Sequence, residues 1–242
     1  MPLYQYIKAS PKRVNRRPWV VSLFFMVAGG LVLAWAVWPI VSFAVVSDAL
    51  FSQIIAPVPE RHEATKTPSV LTPVALAAGG DEGAVDLTNA NAWFPTRPQK
   101  KVVTPVNTYK LSIPKLKITD ATVIIAGDDL AKSLVHYGGT GLPGEYGTAV
   151  VFGHSTLPQF FSPTNYKTIF STLPTLKIGD EIIVTYDGVT YKYVVYEMTV
   201  TDPTDLSPLE QHFDDSYVTL ITCVPPGTYW KRLNVRARLQ RL

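Results

Sequence analysis

The sequence predicts a mainly β chain: a closed or half-closed barrel of short strands with a few short helices, carried on one N-terminal transmembrane helix. Three observations predict it. Residues 19–47 run without a single charged side chain. From residue 107 onward, seven or eight strand-like segments alternate with turn-forming clusters over about 135 residues, a pattern of all-β closure. At the carboxyl end Leu233, Val235, Ala237 and Leu239 alternate strictly with Arg232, Asn234, Arg236 and Arg238, which predicts one buried face and one cationic face.

Taken in order, the chain opens with Lys8, Lys12, Arg13, Arg16 and Arg17 directly before the uncharged run. About 20 apolar residues cross a bilayer core, so the run has length to spare. The competing reading, a cleaved signal peptide, has an apolar region of roughly 7–15 residues, shorter than this one. Pro39 kinks the helix or marks its outer end, and Trp35 and Trp38 suit the membrane interface. Basic residues before the span and none just after it place the amino terminus in the cytoplasm and the rest outside. Residues 48–106 change texture, with prolines at 57, 59, 68, 73, 95, 98 and 105 and an Ala/Gly patch at 75–80. That composition reads as a linker. The alternative is that residues 50–55 prolong the helix and that Ala92-Trp93-Phe94 docks onto the following domain. The expected organisation is a basic cytoplasmic N-terminus (1–18), a transmembrane anchor (19–47), a Pro/Ala-rich extracytoplasmic linker (48–106) and a β domain (107–242).

Within that domain, strands are expected at 109–113 and 121–126, then a helical turn or two over 128–135 capped by Asp128 or Asp129. A buried strand at 148–152 ends on Gly153-His154-Ser155, and a short helix is expected within 164–173. Residues 181–186 and 192–200 form a pair turned by Asp187-Gly188. Residues 218–222 and 233–239 close the chain. Eight residues separate Cys223 from Arg232, a link that suits an antiparallel hairpin better than a helical crossover. The hairpin places a thiol and a guanidinium at one rim of the sheet.

Bulk properties narrow the chemistry. One cysteine excludes an intramolecular disulfide, a Cys-x-x-Cys redox pair and a multi-cysteine zinc site. The net charge is +3, and its basic residues gather at the two ends rather than along one stripe, so nucleic acid is not an expected partner. A lone cysteine is commonly a small buried hydrophobe. Cys223, however, stands at a strand end beside a Pro-Gly turn, with an arginine near in sequence and His154 at the end of another strand. Thiolate chemistry needs a group to hold the thiol proton and positive charge for developing anions. Among the other histidines, His62 lies in the linker, His212 in a polar stretch, and His136 before a turn-rich segment, where it is structural or lines a cleft. Arg236 and Arg238 share the face of Arg232 but lie about 7 Å further along for each two residues, less able to reach the thiol.

Thr219-Leu220-Ile221-Thr222-Cys223 with Arg232 downstream, and Val151-Phe152-Gly153-His154-Ser155 before it, resemble the sortase family of cysteine transpeptidases. Leu111-Ser112-Ile113-Pro114-Lys115-Leu116 and His136-Tyr137-Gly138-Gly139-Thr140, running into Leu142-Pro143-Gly144-Glu145-Tyr146-Gly147, are similar to it as well. The resemblance covers about residues 107 to 242. It implies a sortase-like eight-stranded β-barrel and a two-step acyl transfer at a sorting signal similar to Leu-Pro-x-Thr-Gly. By that resemblance Cys223 is the nucleophile, His154 the acid and base, and Arg232 the holder of the substrate backbone or oxyanion. Thr222, Ser155 and His136 are candidates for contacts with substrate or oxyanion.

The implied partners are a secreted protein bearing the signal and an amine acceptor on the cell surface, with no cofactor and no metal. Asp120, Asp128 and Asp129 are open as carboxylates that orient His154. The lack of a second apolar span after Leu242 and of an Asp-Pro-aromatic lid motif favours a protein-anchoring, class A- or E-like member over a pilin-polymerising one. Two other functions stay open: a membrane-tethered processing peptidase that hydrolyses the same acyl-enzyme, and a non-catalytic peptide-binding barrel.

Overall fold

The computed structural model describes residues 17–50, 86, 88–94, 97, 99, 100 and 104–240. The basic residues before Arg17 and most of the expected linker, His62 included, lie outside them. Helix α1 spans Arg17–Leu50. Its Trp19–Phe43 portion is long and apolar enough to cross a membrane, with a mean hydropathy of 2.4 and no buried residue in its most apolar window. A helix apolar all round has no core-facing stripe, and lipid is the solvent that suits it.

Eight strands follow: β1 (Thr108–Ile113), β2 (Ile118–Ile125), β3 (Leu134–His136), β4 (Gly147–Phe152), β5 (Glu181–Tyr186), β6 (Val189–Thr201), β7 (Ser216–Val224) and β8 (Lys231–Leu239). They close into a barrel in the order β1-β2-β3-β4-β7-β8-β6-β5. Closure comes from β1 pairing antiparallel with β5. The β2–β3 and β4–β7 pairs are parallel, and the β7–β8 hairpin is antiparallel as expected.

Alternation along the strands sorts side chains between two cores. Leu111, Val123, Val151, Val184, Leu220 and Val235 fill the barrel. Val150, Phe152, Ile221 and Cys223 point the other way, into a second cluster with Trp93, Phe94 and Leu209. This outer layer explains why all of β4 is buried. It also revises the expected cationic face of β8. Arg232 and Asn234 are buried, while Arg236 pairs with Glu197 at 2.8 Å and Arg238 with Asp215 at 2.6 Å.

Two expected helices are absent. Residues 127–133 form turns because their backbone groups are engaged by the upstream segment. Ala90 donates to the Asp128 carbonyl at 2.8 Å and Leu130 donates to Thr88 at 2.9 Å. The Asp129 carboxylate accepts from Ala131 N–H at 2.9 Å, a local bond that competes with helix formation. In residues 164–173 the bonds run three residues back, from Thr168 to Asn165 and from Ser171 to Thr168, giving successive turns before a 3-10 helix at Leu173–Thr175.

The segment 88–94, from the stretch read as linker, is docked on the barrel. An isolated bridge joins Asn89 to Asp129, and the Asn89 side chain caps a 3-10 turn at Ala90–Ala92. Further along, Gln99 donates to the Gly127 carbonyl at 3.0 Å and accepts from Gly138 N–H at 2.9 Å. Gly138 must be glycine here, since a Cβ would lie 2.2 Å from the Lys100 carbonyl oxygen.

Candidate active site

The parallel register of β4 and β7 sets Phe152 beside Ile221, so the carboxyl ends of both strands reach the same rim. Two residues past Phe152, through Gly153, the chain delivers His154. The approach at Gly153 is close, because a Cβ there would lie 2.4 Å from Phe170 and 2.7 Å from Leu134. Across the hairpin Cys223 is the direct partner of Arg232. The Arg232 Nη1 group donates to Cys223 Sγ at 3.4 Å and to the Tyr229 carbonyl at 3.3 Å.

Trp93 completes the arrangement. Its ring lies 4.9 Å from the Arg232 guanidinium carbon, within cation–π range, and meets the His154 imidazole edge-on at 6.0 Å. Cys223, His154 and Arg232 are only 1%, 8% and 3% exposed. The Nε2 atom of His154 and the Nε of Arg232 are buried without a hydrogen-bond partner. Buried polar groups are normally bonded, so these two atoms hold unspent capacity for a ligand.

Burial dominates the electrostatics. It pushes the Cys223 thiol up to about 11, against the smaller opposing pull of Arg232. It also lowers the His154 imidazole, opposed by Asp86, while Lys167 lowers it further and Asp129 raises it. As buried here, the pair is a neutral thiol and a neutral imidazole near pH 7, and exposure to water would relieve the largest cause of both shifts.

The remaining sequence candidates divide. Thr222 Oγ1 donates to the Gly153 carbonyl at 2.8 Å, and Ser155 Oγ donates to the Cys223 carbonyl at 2.6 Å. Together they latch the His154 loop to the end of β7. His136 stands on the other face of the sheet, where its Nδ1 meets Tyr109 Oη at 3.0 Å and its Nε2 meets Thr140 Oγ1 at 3.1 Å. With both ring nitrogens engaged, it serves the fold. Asp120 bonds to Ser112, and the nearer carboxylates act on His154 only through space. Among the described residues no three His, Cys, Asp or Glu side chains gather as a metal-binding group. Sequence reasoning did not place Trp93 at the site; its only signal was a pair of large aromatics inside a Pro-rich stretch.

An eight-stranded barrel with a thiol, an imidazole and a guanidinium at one rim belongs to a recognisable class of protein. A model of the Sortase domain matches residues 111–240, and the chain belongs to the sortase family of cysteine transpeptidases. A comparison with curated proteins yields no match. Among solved structures, sortase A from Corynebacterium diphtheriae in a lid-mutant form is 29% identical, with 63% of this chain and 77% of that one covered and a TM-score of 0.49. Sortase C-1 from Actinomyces oris is 31% identical, with 58% and 76% covered and a TM-score of 0.49. A Clostridium perfringens sortase D5 transpeptidase is 26% identical, with 58% and 83% covered and a TM-score of 0.48.

Proposed function

We propose that this sortase cleaves a Leu-Pro-x-Thr-Gly-like signal near the carboxyl end of a secreted protein and joins that protein to an amine on the cell surface. The observation that carries the reading is the 3.4 Å contact of Arg232 with the Cys223 thiol, on the same outer face as His154. The helix α1 is its membrane anchor, with the amino terminus in the cytoplasm and the barrel outside.

In the covered state the site admits no peptide, so segment 88–94 has to leave first. One similar structure is a lid mutant, and we read residues 88–94 as a lid here. Once open, Cys223 gives its proton to His154, and the thiolate attacks the carbonyl carbon after the fourth signal residue. The oxyanion of the tetrahedral intermediate faces the Arg232 guanidinium, whose charge is permanent. Collapse breaks the peptide bond, and the imidazolium protonates the departing amine. An incoming amine then attacks the thioester, loses a proton to His154 and releases Cys223 as thiolate.

The test incubates the protein with a fluorogenic sorting peptide, with and without a glycine peptide, and reads products by mass. A ligated product supports transpeptidation, and hydrolysis alone reassigns the protein as a processing peptidase. Cleavage by the Cys223→Ala variant would overturn the mechanism.

A further inference from the structure

The rim that carries Cys223 and His154 also presents large apolar side chains that the reaction does not use. Phe160, Tyr229 and Trp230 are 61%, 53% and 60% exposed. They stand on two loops that touch: Gly227 is close enough to Leu157 that a Cβ on it would lie 3.0 Å from the leucine side chain. The outer end of α1 meets the same region. Pro39, Ser42 and Phe43 line a cavity of about 320 Å³ together with Pro158, Pro174 and Pro226, and Phe43 packs partly buried against the barrel.

Residues 155–179 and 216–240 contain no aspartate or glutamate, and Lys167 and Lys177 are exposed; the carboxylate of Asp202, from the neighbouring β6 end, is paired with Lys231 at 2.7 Å. Exposed Trp and Tyr rings with exposed lysines nearby in sequence suit the headgroup layer of a bilayer, where an amphipathic ring keeps one edge wet and cations meet negative phosphates. At the opposite end of the barrel Tyr186 pairs with Val189 at the β5–β6 turn, far along β6 from Thr201, the partner of Arg232.

From this geometry we infer that the loop face bearing Phe160, Tyr229 and Trp230 rests on the bilayer that α1 crosses, so that the Cys223 end of the barrel is turned toward the membrane. The inference rests on reading α1 as a membrane anchor. Its occupant is the lipid surface, because the face is continuous with the outer end of the span and presents exposed aromatic rings of the kind that sit at a membrane interface.

The test uses the full chain reconstituted in phosphatidylcholine vesicles containing phosphatidylglycerol. In a Cys223→Ala background, single cysteines replace Phe160, Trp230, Val189 or Leu31 and carry a nitroxide spin label. Collision with oxygen is compared with collision with a water-soluble nickel chelate, and matched thermal unfolding establishes that each variant is folded. The expected result is a label at Leu31 deep in the bilayer, oxygen preference at 160 and 230 several-fold above that at 189, and a water-like label at 189. A deep Leu31 label with 160 and 230 as water-like as 189 would overturn the inference while leaving the anchor intact. Equal lipid contact at 160, 230 and 189 would overturn it too. A water-like label at Leu31 would remove the anchor itself, and the inference with it.

Discussion

Arg232 and Cys223 are direct cross-strand partners, and the guanidinium that reaches the thiol at 3.4 Å also lies 4.9 Å from the ring centre of Trp93. One arginine thus contacts both the thiol and the ring packed beside it, and in the proposed mechanism it serves the oxyanion once that ring withdraws. Replacing it by lysine keeps the charge and loses the planar fork of donors. Arg232→Lys should lower kcat on the order of 10²-fold with little change in KM, as loss of an oxyanion donor does. Steady-state kinetics on a sorting peptide check this, and full activity would remove Arg232 from the reaction.

Removing the cover should make the thiol reactive. In Trp93→Ala the cation–π contact with Arg232, worth about 0.5–2 kcal/mol, and the ring's packing against His154 and the Cys223 cluster are lost. Alkylation of Cys223 by iodoacetamide should accelerate by roughly tenfold or more, since about 1.4 kcal/mol is tenfold. The pH profile distinguishes unmasking from mere loosening. The wild-type rate should climb toward the thiol's value of about 11, whereas the variant's midpoint should fall well below it, because burial is the first cause of the rise. An unchanged midpoint would mean that the ring does not control the thiol.

Acid should weaken the fold through His136. Burial lowers this imidazole from 6.5 to about 4. A depressed folded value gives stability that is complete above pH 6.5 and lost as pH falls toward 4, on the order of 3 kcal/mol. His136→Gln can still bond to Tyr109 and Thr140 but cannot titrate. Urea unfolding at pH 7 and pH 4 should show that the variant loses about 3 kcal/mol less than the wild type.

The latch between β7 and the His154 loop should show in stability. Thr222→Val keeps the shape and leaves the Gly153 carbonyl without its 2.8 Å donor, which should cost about 1–3 kcal/mol. Thr222→Ser should restore most of it. Denaturant midpoints measure both. A Thr222→Val enzyme of native stability but greatly reduced kcat would instead assign the hydroxyl to the oxyanion.

The barrel was legible because its strands obey a simple rule. Tyr109, Leu111 and Ile113, or Leu233, Val235 and Ala237, alternate with polar neighbours wherever one face is buried. The Cys223–Arg232 pairing followed from hairpin length, and His154 from the glycine after a buried strand. What stayed hidden depended on contacts distant in sequence. Asp128 and Leu130 form a turn because their backbone groups bond to Ala90 and Thr88, and no local propensity encodes that. The alternation in β8 reported correctly which residues face outward. It could not report that Trp93, Phe94 and Leu209 form a second layer outside the barrel, with Arg232 and Asn234 buried rather than cationic surface.

The pairing of β1 with β5 has a consequence beyond the site. It leaves the sheet without a free edge, so no row of unsatisfied N–H and C=O groups is offered to a neighbour. Proteins confined to a surface meet one another at high effective concentration, and an open strand is the usual starting point for adhesion between copies. A sealed hydrogen-bond ring lets such a chain be crowded without sticking to itself.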